Sequence, residues 1–212
     1  MEKITETVKK AKEKSKKRNF KQTWDFSINL KNIDLKKPEN RITAEIVLPH
    51  GRGKDTKTLV ITNTMVAEAK KVADFVLTKE QLEALKKDKK KIKKLANEYD
   101  WFFAEAPLMP LIGKIMGIAL GPRGKMPKPI PPKAKLEPLI STAKKTVRIK
   151  LKDSPVIHVP VGTEDMPEEK VAENIQTVYK FVKEKLPKGA GNIKSAYIKL
   201  TMGPALKLNL EG

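Results

Sequence analysis

Cysteine is absent from all 212 residues. That removes disulfides, thiolate nucleophiles and cysteine-based metal sites, and it fits a reducing compartment. Histidine is nearly absent as well. His50 and His158 are the only two, too few for a histidine-built metal centre. Phe, Trp and Tyr together make up 5%, which argues against stacking on many unpaired bases. The longest apolar run, Leu108 to Leu120, contains Pro110 and Lys114 and is too short to cross a bilayer. Met1-Glu2-Lys3-Ile4 leads into charge rather than an apolar stretch, so the expectation is a cytoplasmic protein without a secretory signal and with no membrane partner.

Acidic residues are also in short supply, 25 against 45 Lys and Arg, leaving a net charge of +20. A surplus of one sign points to a polyanion, because each neutralised phosphate releases condensed counterions. Nucleic acid is the first candidate and an anionic membrane the second. A Lys- and Glu-rich surface kept for thermal robustness is the plain alternative. It explains many charges better than it explains an excess of one sign.

Hydrophobic periodicity divides the chain in three. At the start, Ile4, Val8 and Ala11 line one face of a helix over residues 2–17. Trp24, Phe26, Ile28 and Leu30, then Ile42, Ala44, Ile46 and Leu48, alternate like two strands of an antiparallel pair. In the middle, short apolar runs (Leu59–Ile61, Phe75–Leu77, Trp101–Phe103) take turns with helical patterns, including Thr78 with Gln81 as a capping box and helices near 108–118 and 135–144. That rhythm predicts a parallel sheet covered by helices. At the end, Val147–Leu151 and Val156–Val159 read as extended, and a helix carries Val171, Ile175, Val178, Phe181 and Val182. Closing strands run from Ile193 to Leu210.

The expected architecture is a discontinuous α+β domain, residues 1–54 and 154–212, with an antiparallel sheet and helices on one face. An α/β domain, residues 55–153, is inserted into it. Hinges are expected at Pro49, Gly51 and Gly53 on one crossing and at Ser154 and Pro155 on the other.

Catalytic patterns fail on inspection. Gly51-Arg52-Gly53 lacks the third glycine of a dinucleotide loop, and Gly121-Pro122-Arg123-Gly124-Lys125-Met126 has the wrong spacing for a phosphate loop, with Met126 where a magnesium-binding hydroxyl belongs. His158, among Val and Ile, reads as a core histidine with a satisfied hydrogen bond rather than a base. Glu168 and Glu169 suit a helix N-terminus. The expectation is a non-enzyme without cofactor or metal. The competing readings are a nucleotide-dependent enzyme using the insert and a general nucleic-acid packing protein.

Two basic runs remain, Lys9 to Arg18 and Lys86 to Lys94. The second reads as a solvated helix face. The first delivers Lys16, Lys17 and Arg18 to Phe20 at the start of the first strand, a setting suited to folded RNA, although a place in the core suits Phe20 equally well. Near the tail, Gly203-Pro204 interrupts an alternating pattern, although neither residue strengthens a sheet. Such a pair lets a main chain approach a ligand closely, with Thr201 and Met202 beside it as hydroxyl and adaptable apolar surface. A simple β-bulge accounts for it equally well. On the ligand reading, Gly203→Val abolishes specific RNA binding without altering circular dichroism.

Thr201-Met202-Gly203-Pro204, preceded by Gly191-Asn192-Ile193-Lys194-Ser195-Ala196-Tyr197, resembles the carboxyl-terminal signature of the L-one family of large-subunit ribosomal proteins. Pro49-His50-Gly51-Arg52-Gly53-Lys54, Gly121 to Pro127, and Ile157-His158-Val159-Pro160-Val161-Gly162 are similar to further motifs of that family, in the same order. The lysines and Lys31-Asn32-Ile33-Asp34 resemble its archaeal branch. The resemblance implies a split RNA-binding domain with a Rossmann-like insert, monomeric when free, on the cytoplasmic ribosome. Implied partners are large-subunit ribosomal RNA at the mobile stalk, exit-site tRNA whose release it assists, the protein's own mRNA whose translation it represses, and other ribosomal components. By motif, the implied RNA contacts are Phe20, Thr23, Ser195, Thr201, Met202, Gly203 and Pro204. Asp25 stands where the family has an acid, often Glu.

Overall fold

The computed structural model describes residues 2–86, 88–131 and 134–209. In chain order its elements are α1 (Glu2–Glu13), β1 (Thr23–Leu30), β2 (Ile42–Val47), β3 (Thr58–Ile61), α2 (Val66–Val72), β4 (Phe75–Leu77), α3 (Lys79–Leu85), α4 (Lys89–Glu98) and β5 (Trp101–Glu105). They continue with α5 (Met109–Leu120), β6 (Lys128–Ile130), α6 (Leu136–Lys145), β7 (Thr146–Leu151), β8 (Val156–Thr163), α7 (Glu168–Lys185), β9 (Ile193–Leu200) and β10 (Leu206–Leu208). Leu210, the expected end of the last strand, lies outside the described residues, as does Lys87.

The chain forms two compact units, Met1–Lys54 with Lys145–Gly212, and Asp55–Lys144. In the split unit an antiparallel sheet runs in the order β10-β9-β1-β8. Strand β1 alternates strictly, burying Trp24, Phe26, Ile28 and Leu30. Those side chains share one core with Ile4, Val8 and Ala11 of α1 and Val171, Ile175, Val178 and Val182 of α7, so both helices cover one face. The other face stays open. Helix α1 ends at Glu13 rather than residue 17, because Ala11 is the last residue of its apolar stripe. A charge-assisted contact from Lys12 Nζ to Glu168 Oε1, 2.8 Å, ties it to the start of α7.

Two sequence expectations need correction. The strands expected to pair with each other, β1 and β2, do not. Instead β1 lies between β8 and β9, and β2 pairs antiparallel with β7. Alternation reports which face is buried, and both strands do bury one, but it carries no information about the neighbour. The second correction follows from the first. Because β7 belongs to β2, the second crossing between units falls at Lys144 and Lys145, not at residue 153. Ser154 and Pro155 sit wholly inside the split unit, where Pro155 O accepts from Leu30 N at 2.8 Å.

In the inserted unit four parallel strands run in the order β4-β3-β5-β6. Leu59, Ile61, Phe102 and Ala104 face a core with α3, α4 and α5, while Val60, Trp101 and Phe103 face a second core with α2 and α6. Burial on both faces explains why β3 and β5 read as continuous apolar runs. The Thr78–Gln81 capping box forms at α3. Past the end of β3, Thr62 and Thr64 turn their hydroxyls onto Glu105 at the end of β5. Thr64 Oγ1 donates at 2.7 Å and Thr64 N at 3.0 Å to the same carboxylate oxygen that Thr62 Oγ1 reaches.

Burial opposes the charge on Glu105, but these bonds outweigh it and hold the carboxyl below its ordinary value of 4.5. A carboxyl depressed in the native state stabilises fully above the unfolded value and loses that contribution as pH falls through the native one. Glu105→Gln should therefore cost about 2 kcal/mol at neutral pH and flatten the acid limb. Thermal midpoints followed by circular dichroism at neutral pH and near pH ~3 check this, and equal losses for both proteins on acidification would assign the acid limb to other groups.

Candidate nucleic-acid interface

The strict alternation of β1 that buries Trp24 to Leu30 also aims Thr23, Asp25, Ser27 and Asn29 to the open face. Cross-strand register completes that face. Asp25 lies opposite Lys199 and Pro160, Ser27 opposite Tyr197 and His158, and Asn29 opposite Ser195. Asn29 Nδ2 donates to Ser195 Oγ at 3.1 Å, and Ser27 Oγ pairs with His158 Nδ1 at 2.9 Å. His158 is exposed. Its expected place in the core is thus wrong, because β8 alternates and His158 falls on the outward phase between buried Ile157 and Val159. Burial raises the Asp25 carboxyl above its ordinary value, with Lys199 and then His158 pulling the other way. A carboxylate among hydroxyls is an acceptor for a ribose 2′-hydroxyl.

At one end of this face the chain makes the turn between β9 and β10. Thr201 extends the ladder by one rung: Thr201 N donates to Thr23 O at 3.1 Å, and its hydroxyl accepts from Thr23 N at 3.1 Å. Gly203 N donates to Leu200 O at 2.9 Å, and Met202 N to Gln22 Oε1 at 3.1 Å. Buried Gln22 also donates from Nε2 to Lys16 O, 3.3 Å. The N–H groups of Thr201, Met202 and Gly203 are thereby satisfied inside the protein, and the side chain of Met202 is left over. Met202 is 59% exposed and Phe20 50%, large apolar groups that the core does not use. Pro204 is exposed and outside the ladder, where its missing N–H costs nothing.

Gly203 has an internal reason to be glycine. A Cβ there would lie 2.9 Å from Ser15 Oγ and 3.3 Å from Ser15 Cβ and Leu200 Cβ. The expectation that Gly203→Val leaves the fold untouched is therefore corrected, since a branched side chain pushes against the segment after α1. The same segment carries the positive charge. Lys16, Lys17 and Arg18 are all exposed, and the two lysines line a cleft of about 430 Å³ with Lys12, Ser15, Gln22 and Leu200. Glu164 and Asp165 line it too and offset part of its positive charge.

Sequence reasoning passed over Gln22, Ser27, Asn29, Tyr197 and Lys199. Period-two alternation through Trp24 and Ala196 was the available signal for the last four; Gln22 had none, because its role depends on a turn supplied by the far end of the chain. The hinge residues Gly51 and Gly53 adopt left-handed backbone, φ 65° and 69°. Their turn is fastened to the split unit. Fully buried Asn174 donates to Gly51 O at 2.9 Å and to Val161 O at 2.8 Å, and accepts from His50 N at 3.3 Å. Pro49 precedes this anchored turn. In the other unit, the loop after α5 that resembled a phosphate cradle is spent on helix ends. Arg123 donates to Ala119 O and Asn97 Oδ1, and Lys125 Nζ to Ala96 O and Tyr99 O. Among the described residues no His, Asp and Glu group has the makings of a metal site.

The surface thus combines a basic approach with an open polar face and two exposed apolar groups. Large ribosomal subunit protein uL1 of Thermococcus kodakarensis is 53% identical over 209 residues, covering 98% of this chain and 97% of its own. The uL1 proteins of Pyrococcus abyssi (52%; 98% and 95% covered) and Methanocaldococcus jannaschii (49%; 99% and 96% covered) are similar over nearly their whole lengths. What these define is a ribosomal protein, not an enzyme. The chain belongs to the Ribosomal protein L1p/L10e family, whose model matches residues 9–204.

The contact at Gly203 predicts a coupled pair. Gly203→Ala should lower the thermal midpoint, and Ser15→Gly in the same chain should recover part of the loss. Strict additivity of the two substitutions would mean that they do not touch.

Proposed function

We propose that this protein is a structural constituent of the large ribosomal subunit and binds ribosomal RNA through the open face of its split unit. The observation that carries this reading is the Thr201–Pro204 turn: its backbone is held from within by Thr23 and Gln22, while Met202 and, two residues before Gln22, Phe20 stay exposed. Large apolar side chains on a rigid platform beside lysines suit sugars and base faces of a folded RNA. Thr23, Ser195 and Thr201 supply hydroxyls, Asp25 an acceptor, Gly203 and Pro204 a slim backbone, and Lys16, Lys17 and Arg18 the long-range attraction.

The finer roles rest on likeness to the uL1 proteins. In this reading the RNA is the mobile stalk, the protein helps deacylated tRNA leave the exit site, and its own mRNA carries a mimic of the ribosomal site that allows repression. The insert, with its 2-1-3-4 order of parallel strands, is read as Rossmann-like. Movement between the units is assigned to the two crossings, Lys54–Asp55 and Lys144–Lys145, with the turn at Pro49, Gly51 and Gly53 held within the split unit.

Met202→Ala should weaken binding to a large-subunit RNA fragment bearing the stalk by about tenfold, the range for one lost apolar contact, with the thermal midpoint unchanged because the side chain is already exposed. Wild-type affinity in filter binding would remove the turn from the interface. Lys16→Gln and Lys17→Gln should each reduce the slope of log affinity against log salt by about one. An unchanged slope would return these lysines to plain solvation.

A further inference from the structure

We infer that α4, in the inserted unit, is a second RNA-backbone surface, separate from the open face of the split unit. The segment from Lys86 to Lys94 holds seven lysines and one acid. Lys86, Lys89, Lys90, Lys93 and Lys94 are all exposed, while Ile92 and Ala96 fix the opposite side of the helix in the core. Among the described residues only Lys91 of this run lies within ion-pair distance of an acid, Asp88, 3.4 Å away. Glu98 and Asp100, which follow the run, are engaged by Lys57 and Lys125.

Helix stability does not account for this arrangement. Lys89 and Lys93, and Lys90 and Lys94, are spaced i,i+4, where like charges repel. Asp88 caps α4, accepting from Lys91 N at 3.0 Å, but Lys89, Lys90 and Lys91 fill its first turn, where the helix dipole disfavours cations and where α1, α2, α3, α6 and α7 carry an acid. A surface kept for thermal robustness would interleave glutamates with the lysines and gain ion pairs, and α4 forgoes them. A polyanion relieves both costs at once by entering among the lysines. Spaced ammonium groups without a shaped pocket fit phosphates and read no sequence.

The inference rests on RNA being the ligand and is tested on the full chain with two sets of substitutions. The probe is a duplex RNA of unrelated sequence, read by filter binding across salt. Replacing Lys89, Lys90, Lys93 and Lys94 with Gln should lower the salt slope by about two, making the loss of affinity between about 50 and 200 mM salt roughly tenfold smaller than in the wild type. Gln is a good helix former, so the thermal midpoint should hold or rise. Met202→Ala with Thr201→Val should leave this duplex binding intact while impairing the stalk fragment. An unchanged slope in the quadruple variant overturns the second surface and leaves the split-unit reading standing. Loss of duplex binding in the quadruple variant, with stalk binding indifferent to Met202 and Thr201, supports α4 and sinks the split-unit face instead. Capture on phosphatidylserine vesicles at a salt concentration where duplex RNA is released would assign α4 to a membrane surface and overturn the inference.

Discussion

Strand β1 has a hydrogen-bonded neighbour on each side, and both come from the far end of the chain. Every later feature of the split unit depends on that double pairing. It puts Thr23, Asp25, Ser27 and Asn29 level with Ser195, Tyr197, Lys199 and His158, and it brings Gln22 and Thr23 under the Thr201–Pro204 turn. None of these groups is near its counterpart in sequence. The open face is therefore a product of tertiary closure, and α1 and α7 make that closure favourable by burying the apolar phase of the same strands.

The interface separates rigidity from contact. The N–H groups of Thr201, Met202 and Gly203 find partners within the protein, so in the proposed interface ordering them is a cost met at folding and not again at binding. The side chains left outside are one thioether, one phenyl ring and several hydroxyls, with lysines on one flank. A cation-rich surface alone would hold any nucleic acid. Fixed apolar and hydroxyl groups restrict which shapes it can hold tightly.

Much of this was legible in the residues, and the gaps have physical causes. Two-residue alternation in 24–30 and 147–151 showed buried faces because half-buried strands must segregate polar from apolar side chains. The alternating βα rhythm of the middle announced a covered parallel sheet. Partners were illegible, since alternation is the same whichever strand lies alongside, and that single gap shifted the second crossing from residue 153 to Lys144–Lys145. His158 was misplaced because a polar residue among Val and Ile was read by its neighbours and not by its phase. Gly203 next to Pro204 suggests a backbone open toward a ligand, but Ser15, remote in sequence, occupies the space beside it.

The order in which the strands lie along the chain has a consequence for synthesis. All four strands of the inserted unit fall between Thr58 and Ile130, so this unit has its complete sheet before the final third of the polypeptide has been made. Strand β1 emerges first of all strands and must wait for both its partners, β8 and β9. During that interval its backbone has two unpaired edges and its apolar phase, Trp24 through Leu30, lacks the cover of α7. A nascent chain released early would thus carry the insert's four strands and an exposed ribbon, without the open sheet face that β1 forms only with β8 and β9.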